Sequence, residues 1–260
     1  DLVRSRGLGD VYKRQAVATA NSCPARKISN LIKRSDPMSL LFMIIIAAGL
    51  PFLTAQSYKN IRKMEAEMEG MQLAKIPVYM QSVIMQLALC ALAFFAAKSE
   101  ELTISFKSSF TFQPVAAAVV LITLALAIAW FSQKISKEKD NSSTLHHILP
   151  DTNLERLVWI LACVVAAFCE EYIYRGVLFQ MIGGYVENSW WIAAVLSAIV
   201  FAFGHGTQGE KAIIQIIPFA IGFQLLVWLS GGLLLPMIAH FIYNVLVELL
   251  FGDKIKADAA

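Results

Sequence analysis

The chain has 260 residues, of which 57% are hydrophobic and 16% are charged, and its mean hydropathy is +0.60. Soluble domains are typically about 45–50% apolar and about 25% charged, so this composition excludes an ordinary soluble domain and predicts a polytopic membrane protein. The net charge of +3 is small and the basic residues cluster outside the apolar runs. This pattern argues against a nucleic-acid partner and for contact with the lipid bilayer.

The first 37 residues contain no apolar run of membrane length. Residues 1–15 begin without a methionine and resemble translated sequencing-adapter sequence, and the first methionine of the chain is Met38. We therefore expect residues 1–15 to be adapter-derived and base no fold prediction on them. Residues 16–37 are either native or upstream sequence read through in frame, so residues 1–37 as a whole are treated as an adapter-derived, non-native or uncertain segment.

Seven apolar windows follow, some of them marginal in length, since a membrane helix needs about 20 residues. Their length and their lack of alternation argue against strands. We therefore expect an all-α, polytopic transmembrane bundle of about seven to eight helices, the eighth being one that would precede residue 38. The windows are 38–57, 77–97, 114–132, 156–180, 190–205, 211–230 and 233–251.

The character of the connections divides the chain into four parts. These are a plain hydrophobic half at 38–133, a charged linker at 134–153 that holds His146 and His147, a half with polar groups at 154–251, and a polar tail at 252–260.

Two connections carry most of the basic residues that follow residue 37. Residues 58–76 alternate charged and apolar side chains, which is typical of a short interfacial amphipathic helix. Beyond residue 37, lysine and arginine are densest there and at 134–156, with two more lysines near the C-terminus. The positive-inside rule predicts that these three regions share the cytoplasmic side, although the basic residues just before the first apolar run favour the opposite orientation: Arg26, Lys27, Lys33 and Arg34.

Residues 169–176 (Cys-Glu-Glu-Tyr-Ile-Tyr-Arg-Gly) place two carboxylates and an arginine inside an apolar run. Each ionisable group at membrane depth costs about 2.5–3.5 kcal/mol on insertion scales, so three of them indicate chemistry or transport. Glu171 and Arg175 are four residues apart and share a helix face, which predicts an ion pair whose alternative role is helix packing alone. Glu170 points about 100° away. It has no local cation, which suits a general base.

Two further apolar runs carry polar groups. His205 ends the run Phe201-Ala-Phe-Gly-His, where an interfacial histidine is the alternative. His240 and Asn244 are four residues apart on one helix face, where interhelical hydrogen bonding is the alternative. Together the three runs supply a carboxylate, imidazoles, an amide and a cation. Those groups can activate water and stabilise an oxyanion.

In this order, Glu170-Glu171-x-x-x-Arg175, Phe201-x-x-x-His205 and His240-x-x-x-Asn244 resemble the CPBP family of intramembrane proteases. That family includes the type II CAAX prenyl endopeptidases and bacterial bacteriocin-processing or immunity proteins, also called the Abi family. The resemblance covers about residues 150–251, so it implies a protease core at 154–251 and an active site in the C-terminal half.

The resemblance implies a role for each motif position. Glu170 would activate the attacking water, and His205 would help to hold that water. His240 and Asn244 would stabilise the oxyanion of the tetrahedral intermediate. The remaining positions would orient the first carboxylate, support the helix or pack beside the site: Glu171, Arg175 and Phe201.

Metal dependence is a separate question. Glu170, Glu171, His205 and His240 offer carboxylate and imidazole ligands for zinc. The metal-free glutamate mechanism is the better-supported one for the CAAX branch, and Asn244 suits an oxyanion better than a metal. We therefore expect no metal and no other cofactor, with zinc as the alternative.

The resulting prediction is an intramembrane endopeptidase in the inner membrane of a bacterium. Its substrate would be a peptide or a membrane-anchored protein terminus, and not a prenylated protein, since bacteria generally lack these. One alternative is a non-catalytic bacteriocin immunity or partner-binding protein on the same fold. Another is a small carrier that uses the charged groups as a relay, against which the sequence shows no internal repeat. The oligomeric state is left open.

Overall fold

The computed structural model describes residues 36–67, 74–135 and 149–259. Within these ranges the chain forms seven helices and no strand, which confirms the predicted all-α bundle. Three predicted features lie outside the described residues: the N-terminal segment up to residue 35, residues 68–73 of the interfacial helix, and the linker histidines His146 and His147.

The helices are numbered here in chain order. Two of them contain a π-helical stretch. α1 comprises Pro37–Ile44, π-helical Ile45–Gly49 and Leu50–Glu67, and α4 comprises Asn153–Glu170, π-helical Glu171–Leu178 and Phe179–Tyr185. The others are α2 (Lys75–Ser99), α3 (Phe112–Ile135), α5 (Trp190–Gly204), α6 (Glu210–Ser230) and α7 (Leu234–Ala259), with a 3-10 turn at Gly206–Gln208.

Six of these helices are long and apolar enough to cross a membrane, so the chain is an integral membrane protein. The exception is α5, whose 15 residues fall short of the about 20 that a span needs. The described part of the predicted interfacial helix, residues 58–67, continues α1 without a break. The apolar windows therefore correspond to helices, but one of the seven windows is too short to span alone.

Local sequence signals explain where two of the helices begin. Asp36 caps α1 by accepting a hydrogen bond from Met38 N at 2.8 Å, with Pro37 at the first helical position. Thr152 and Glu155 form a reciprocal capping box at the start of α4. Both signals satisfy amide groups that have no partner inside the helix.

The central helix of the bundle is α4. All eight residues of its π-helical segment, Glu171–Leu178, are buried. Helix α2 packs along it with buried alanines at positions 93, 96 and 97, and small residues of this kind let two helices approach closely in a membrane. The motif residues of α4 therefore lie in the interior of the bundle.

Contacts at the helix ends define the two ends of the bundle. At one end Lys75 pairs with Asp151, and Arg156 Nε lies 3.4 Å from Glu248 Oε1. At the opposite end Ser109 N donates to Ser230 O at 2.7 Å. The starts of α2 and α4 and the C-terminal part of α7 thus share one end of the bundle. The positive-inside rule assigned the basic residues next to these helix ends to one side of the membrane. That assignment requires the three helix ends to lie together, as they do here.

Candidate active site

Glu170 lies at the meeting point of four helices. Its Oε1 atom accepts a hydrogen bond from Gln86 Nε2 of α2 at 2.6 Å. Its Oε2 atom lies 3.8 Å from His205 Nε2 and 3.9 Å from His240 Nε2. The side chain is 12% exposed, so it remains reachable while most of it is enclosed. One oxygen is therefore held by a side chain of α2. The other oxygen faces the imidazole of His205 at the end of α5 and the imidazole of His240 on α7.

The neighbouring carboxylate, Glu171, is fully buried and has different partners. Its Oε1 atom accepts a hydrogen bond from His240 Nδ1 at 2.8 Å, and its Oε2 atom lies 3.4 Å from Arg175 Nε. The guanidinium of Arg175 also stacks over the Phe201 ring, with Cζ 4.1 Å from the ring centroid. Glu171 therefore joins a cation on its own helix to the histidine of α7, and the aromatic ring gives the cation a second favourable contact.

The π-helical stretch of α4 begins at Glu171, directly after Glu170. Such stretches are rare and occur frequently at functional sites. Here two carboxylates adjacent in sequence are directed to separate partners, one to Gln86 and the other to His240 and Arg175.

His205 directly follows the last residue of α5. Its Nδ1 atom is 2.9 Å from Phe201 O. Because a carbonyl oxygen can only accept, Nδ1 must carry the proton, and in the neutral ring Nε2 is an acceptor directed at Glu170. Gly204 permits the close approach of this helix end, since a Cβ atom there would lie 3.2 Å from the Tyr174 hydroxyl.

A cavity of about 130 Å³ is lined by His205, His240 and Arg175, and Glu170 is not part of its lining. The other side chains with polar atoms in the lining are Gln208, Tyr243 and Asn244. Its apolar lining comes mainly from α3 and α6, with Leu121, Ile122 and Ala125 from the first and Ile216, Phe219 and Phe223 from the second. A mostly apolar cavity with a few convergent polar groups is the usual form of a binding site.

The structure brings the sequence-predicted residues together. Hydrogen bonds, ring contacts or charged-atom separations of at most 3.9 Å join six of them: Glu170, Glu171, Arg175, Phe201, His205 and His240. Asn244 lines the same cavity as His240, one helical turn later. The catalytic roles assigned to these residues remain predictions.

Sequence analysis missed Gln86 and the apolar lining from α3. Both lie in the half of the chain described as plain hydrophobic. A signal for Gln86 was present, because an amide inside an apolar run needs a partner. The same run also contains Gln81, which is exposed, so the sequence alone does not say which glutamine faces the site.

The donor set can be tested against a metal ion. Within the described residues, no group of three histidine, cysteine, aspartate or glutamate side chains has the arrangement of a metal site. Both oxygens of Glu171 already face Arg175 and His240. As placed, the candidate zinc ligands do not fit a metal, and metal-free chemistry remains a prediction.

Comparison with known proteins identifies one family. The family model described as Rce1-like, type II CAAX prenyl endopeptidase Rce1-like, matches residues 152–246. This segment contains all seven motif residues and excludes α1, α2 and α3. Curated proteins and solved structures yield no significant match to the chain.

Proposed function

Since the chain belongs over residues 152–246 to the Rce1-like family, and thus to the CPBP family that its motifs resemble, we propose that it is an intramembrane endopeptidase. The observation that supports this proposal best is the position of Glu170 Oε2, which lies 3.8 Å from His205 Nε2 and 3.9 Å from His240 Nε2. These separations are too long for direct hydrogen bonds, and a water beside such a pair would contact both groups.

The proton positions favour activation of such a water. Glu170 as a carboxylate accepts hydrogen bonds only, and Nε2 of neutral His205 is also an acceptor because its Nδ1 donates to Phe201 O. A water between them would donate one proton to each, and its lone pair would face a substrate carbonyl carbon. When that oxygen attacks, Glu170 takes the proton and later gives it to the leaving amine.

The developing oxyanion requires donors. We assign these to Asn244 Nδ2 and His240 Nε2, because both side chains line the cavity. His240 Nδ1 donates to Glu171, so Nε2 donates only when the ring carries a second proton. The site then holds two carboxylates, the Arg175 guanidinium and this imidazolium, with Glu171 in contact with both cations, so its formal charges sum to zero.

The cavity lining favours an apolar substrate segment. Leucine, isoleucine, alanine and phenylalanine side chains cover the side contributed by α3 and α6. An apolar residue next to the scissile bond would lose water on entering this space, which favours its binding. The proposed substrate is a peptide or a membrane-anchored protein terminus with an apolar segment. We further propose that it is cleaved in a bacterial inner membrane and carries no prenyl group, because bacteria generally lack prenylated proteins.

A peptide-cleavage assay tests the proposal. Detergent-purified wild type and Glu170→Gln would be incubated with a library of apolar peptides, with and without a chelator. Glu101→Gln, the same change at an exposed position, is the matched control. Cleavage that survives chelation and Glu101→Gln but is lost in Glu170→Gln is the expected result.

Two other results would contradict the proposal in different ways. Cleavage lost to the chelator would replace the glutamate mechanism with a metal-dependent one. No cleavage by the wild type would favour an immunity or partner-binding protein on the same fold.

A further inference from the structure

We propose that Gln86 is a positioning residue for Glu170, a role that rests on the proposed protease function. Gln86 lies on α2, outside the segment that matches the family model, so the proposed site uses both halves of the chain. Its amide donates to Glu170 Oε1 at 2.6 Å, the shortest hydrogen bond described for a motif carboxylate. Hydrogen bonds to an ionised acceptor are short and about twice as strong as those between neutral groups.

This contact determines which oxygen faces the histidines. A glutamate side chain has several rotatable bonds, and Glu170 has no cation on its own helix face to hold it. With Oε1 held by Gln86, Oε2 is directed toward His205 Nε2 and His240 Nε2. Without the amide, the carboxylate is free to rotate away from this position. A displacement of about 1 Å in a reacting group can cost about a hundredfold in rate.

The part of α2 that follows Gln86 packs in the same buried cluster as α4. Cys90 lies one helical turn after Gln86 and packs against the cluster that contains Cys169, the residue before Glu170. Ala93, Ala96 and Ala97 on the following turns are buried in that cluster. Gln86 therefore belongs to a packed helix and not to a loop.

The kinetic test compares Gln86→Met with Gln81→Met. Methionine has similar length but no donor, and Gln81 is an exposed glutamine five residues earlier on the same helix. For Gln86→Met we expect kcat to fall about tenfold to a hundredfold, the range for losing a hydrogen bond to a charged group, with KM unchanged. Gln81→Met should keep wild-type kcat and KM. Equal kcat in Gln86→Met and wild type would overturn the proposal.

A thermal unfolding cycle tests the contact without relying on cleavage. In wild type, Gln86→Met should lower the apparent Tm, because Glu170 loses its donor. In a Glu170→Ala background the amide has already lost its acceptor, so the same change should leave Tm unchanged or raise it. The same lowering of Tm in both backgrounds would show that Gln86 acts only through packing, and would overturn the proposal.

The two experiments separate failure of the proposal from failure of the proposed function. Wild-type cleavage with an unaffected Gln86→Met variant removes only the positioning role. If the wild type cleaves no peptide, the proposed protease function is refuted, and the positioning role of Gln86 in catalysis is refuted with it. The thermal cycle would then still report whether the amide and the carboxylate interact.

Discussion

Replacing Glu171 by glutamine should destabilise the protein strongly, because it breaks a buried ion pair from one side. Glu171 is fully buried and Arg175 is 4% exposed. The glutamine keeps the size of the side chain and keeps an oxygen that can accept from His240 Nδ1. What it removes is the negative charge opposite the guanidinium, which lies 3.4 Å away at its Nε atom.

The magnitude follows from the burial of the charge that is left behind. Removing one partner of a buried ion pair costs about 3–5 kcal/mol, because the other charge then lacks compensation. For a chain of this size, 1 kcal/mol corresponds to about 2–4 °C in Tm, so the apparent Tm should fall by about 6–20 °C. The aromatic rings of Phe201 and Phe223, with centroids 4.1 and 5.6 Å from Arg175 Cζ, would reduce this loss toward the lower end.

The double variant Glu171→Gln/Arg175→Met tests the reasoning. Because the guanidinium is removed together with the carboxylate opposite it, the double variant should recover most of the lost Tm, yet it should stay poorly active because His240 has lost the Glu171 carboxylate. The assay is thermal unfolding in detergent alongside peptide cleavage, with the exposed Glu101→Gln as control, which should shift Tm very little. A double variant less stable than Glu171→Gln alone would refute the argument from charge compensation.

Three further predictions concern the cavity and the packing. Asn244→Ala should lower kcat by about a hundredfold to a thousandfold, the usual cost of one oxyanion donor, measured by steady-state peptide cleavage. Ala125→Phe should raise KM for apolar peptides by placing a ring in the cavity, whereas Val119→Phe on the exposed face of α3 should not. Gly232→Ala should lower Tm, since its Cβ would lie 2.5 Å from the backbone oxygen of Lys107 and overpacking costs about 1–3 kcal/mol.

Each of these has an outcome that would contradict it. Wild-type kcat in Asn244→Ala would remove the amide from the oxyanion site. Equal KM values for the two phenylalanine variants would mean that the cavity does not receive the substrate. For Gly232, the reference is Gly184→Ala, where a Cβ meets nothing within 4 Å. Similar Tm values for Gly232→Ala and Gly184→Ala would show that the backbone near Lys107 moves aside without loss of stability.

The sequence predicted the helices well because the lipid environment dictates them. A chain segment in hydrocarbon must satisfy its own backbone groups, so each apolar window of sufficient length becomes a helix. The end of α5 at Gly204 agrees with the end of the apolar window at His205. The π-helical stretch at Glu171–Leu178 was not predicted, because its hydrogen-bond register depends on how α4 packs among its neighbours and not on local propensity.

The pairing of Glu171 with Arg175 could be read from the sequence, since residues four apart on a helix are neighbours. The motif order likewise pointed to the family whose model matches residues 152–246. Contacts between helices distant in the chain could not be read in this way. Glu170 was expected to lack a cation nearby on its own helix, and the neutral amide of Gln86 reaches it across 84 positions in the chain. His240 was grouped with Asn244, and its Nδ1 atom instead bonds Glu171 across 69 positions.

Composition and periodicity thus determined that this chain is a helical membrane protein, and three short motifs predicted the seven candidate site residues. Helix formation and the motifs depend on interactions within one helix or between one helix and lipid. A single stretch of sequence is therefore enough to predict them. The tertiary structure alone decided which oxygen of Glu170 faces the histidines and which helix holds the other oxygen. Those choices depend on the rotation and depth of α2, α5 and α7 around α4, and the packing of buried alanines, glycines and aromatic rings sets them.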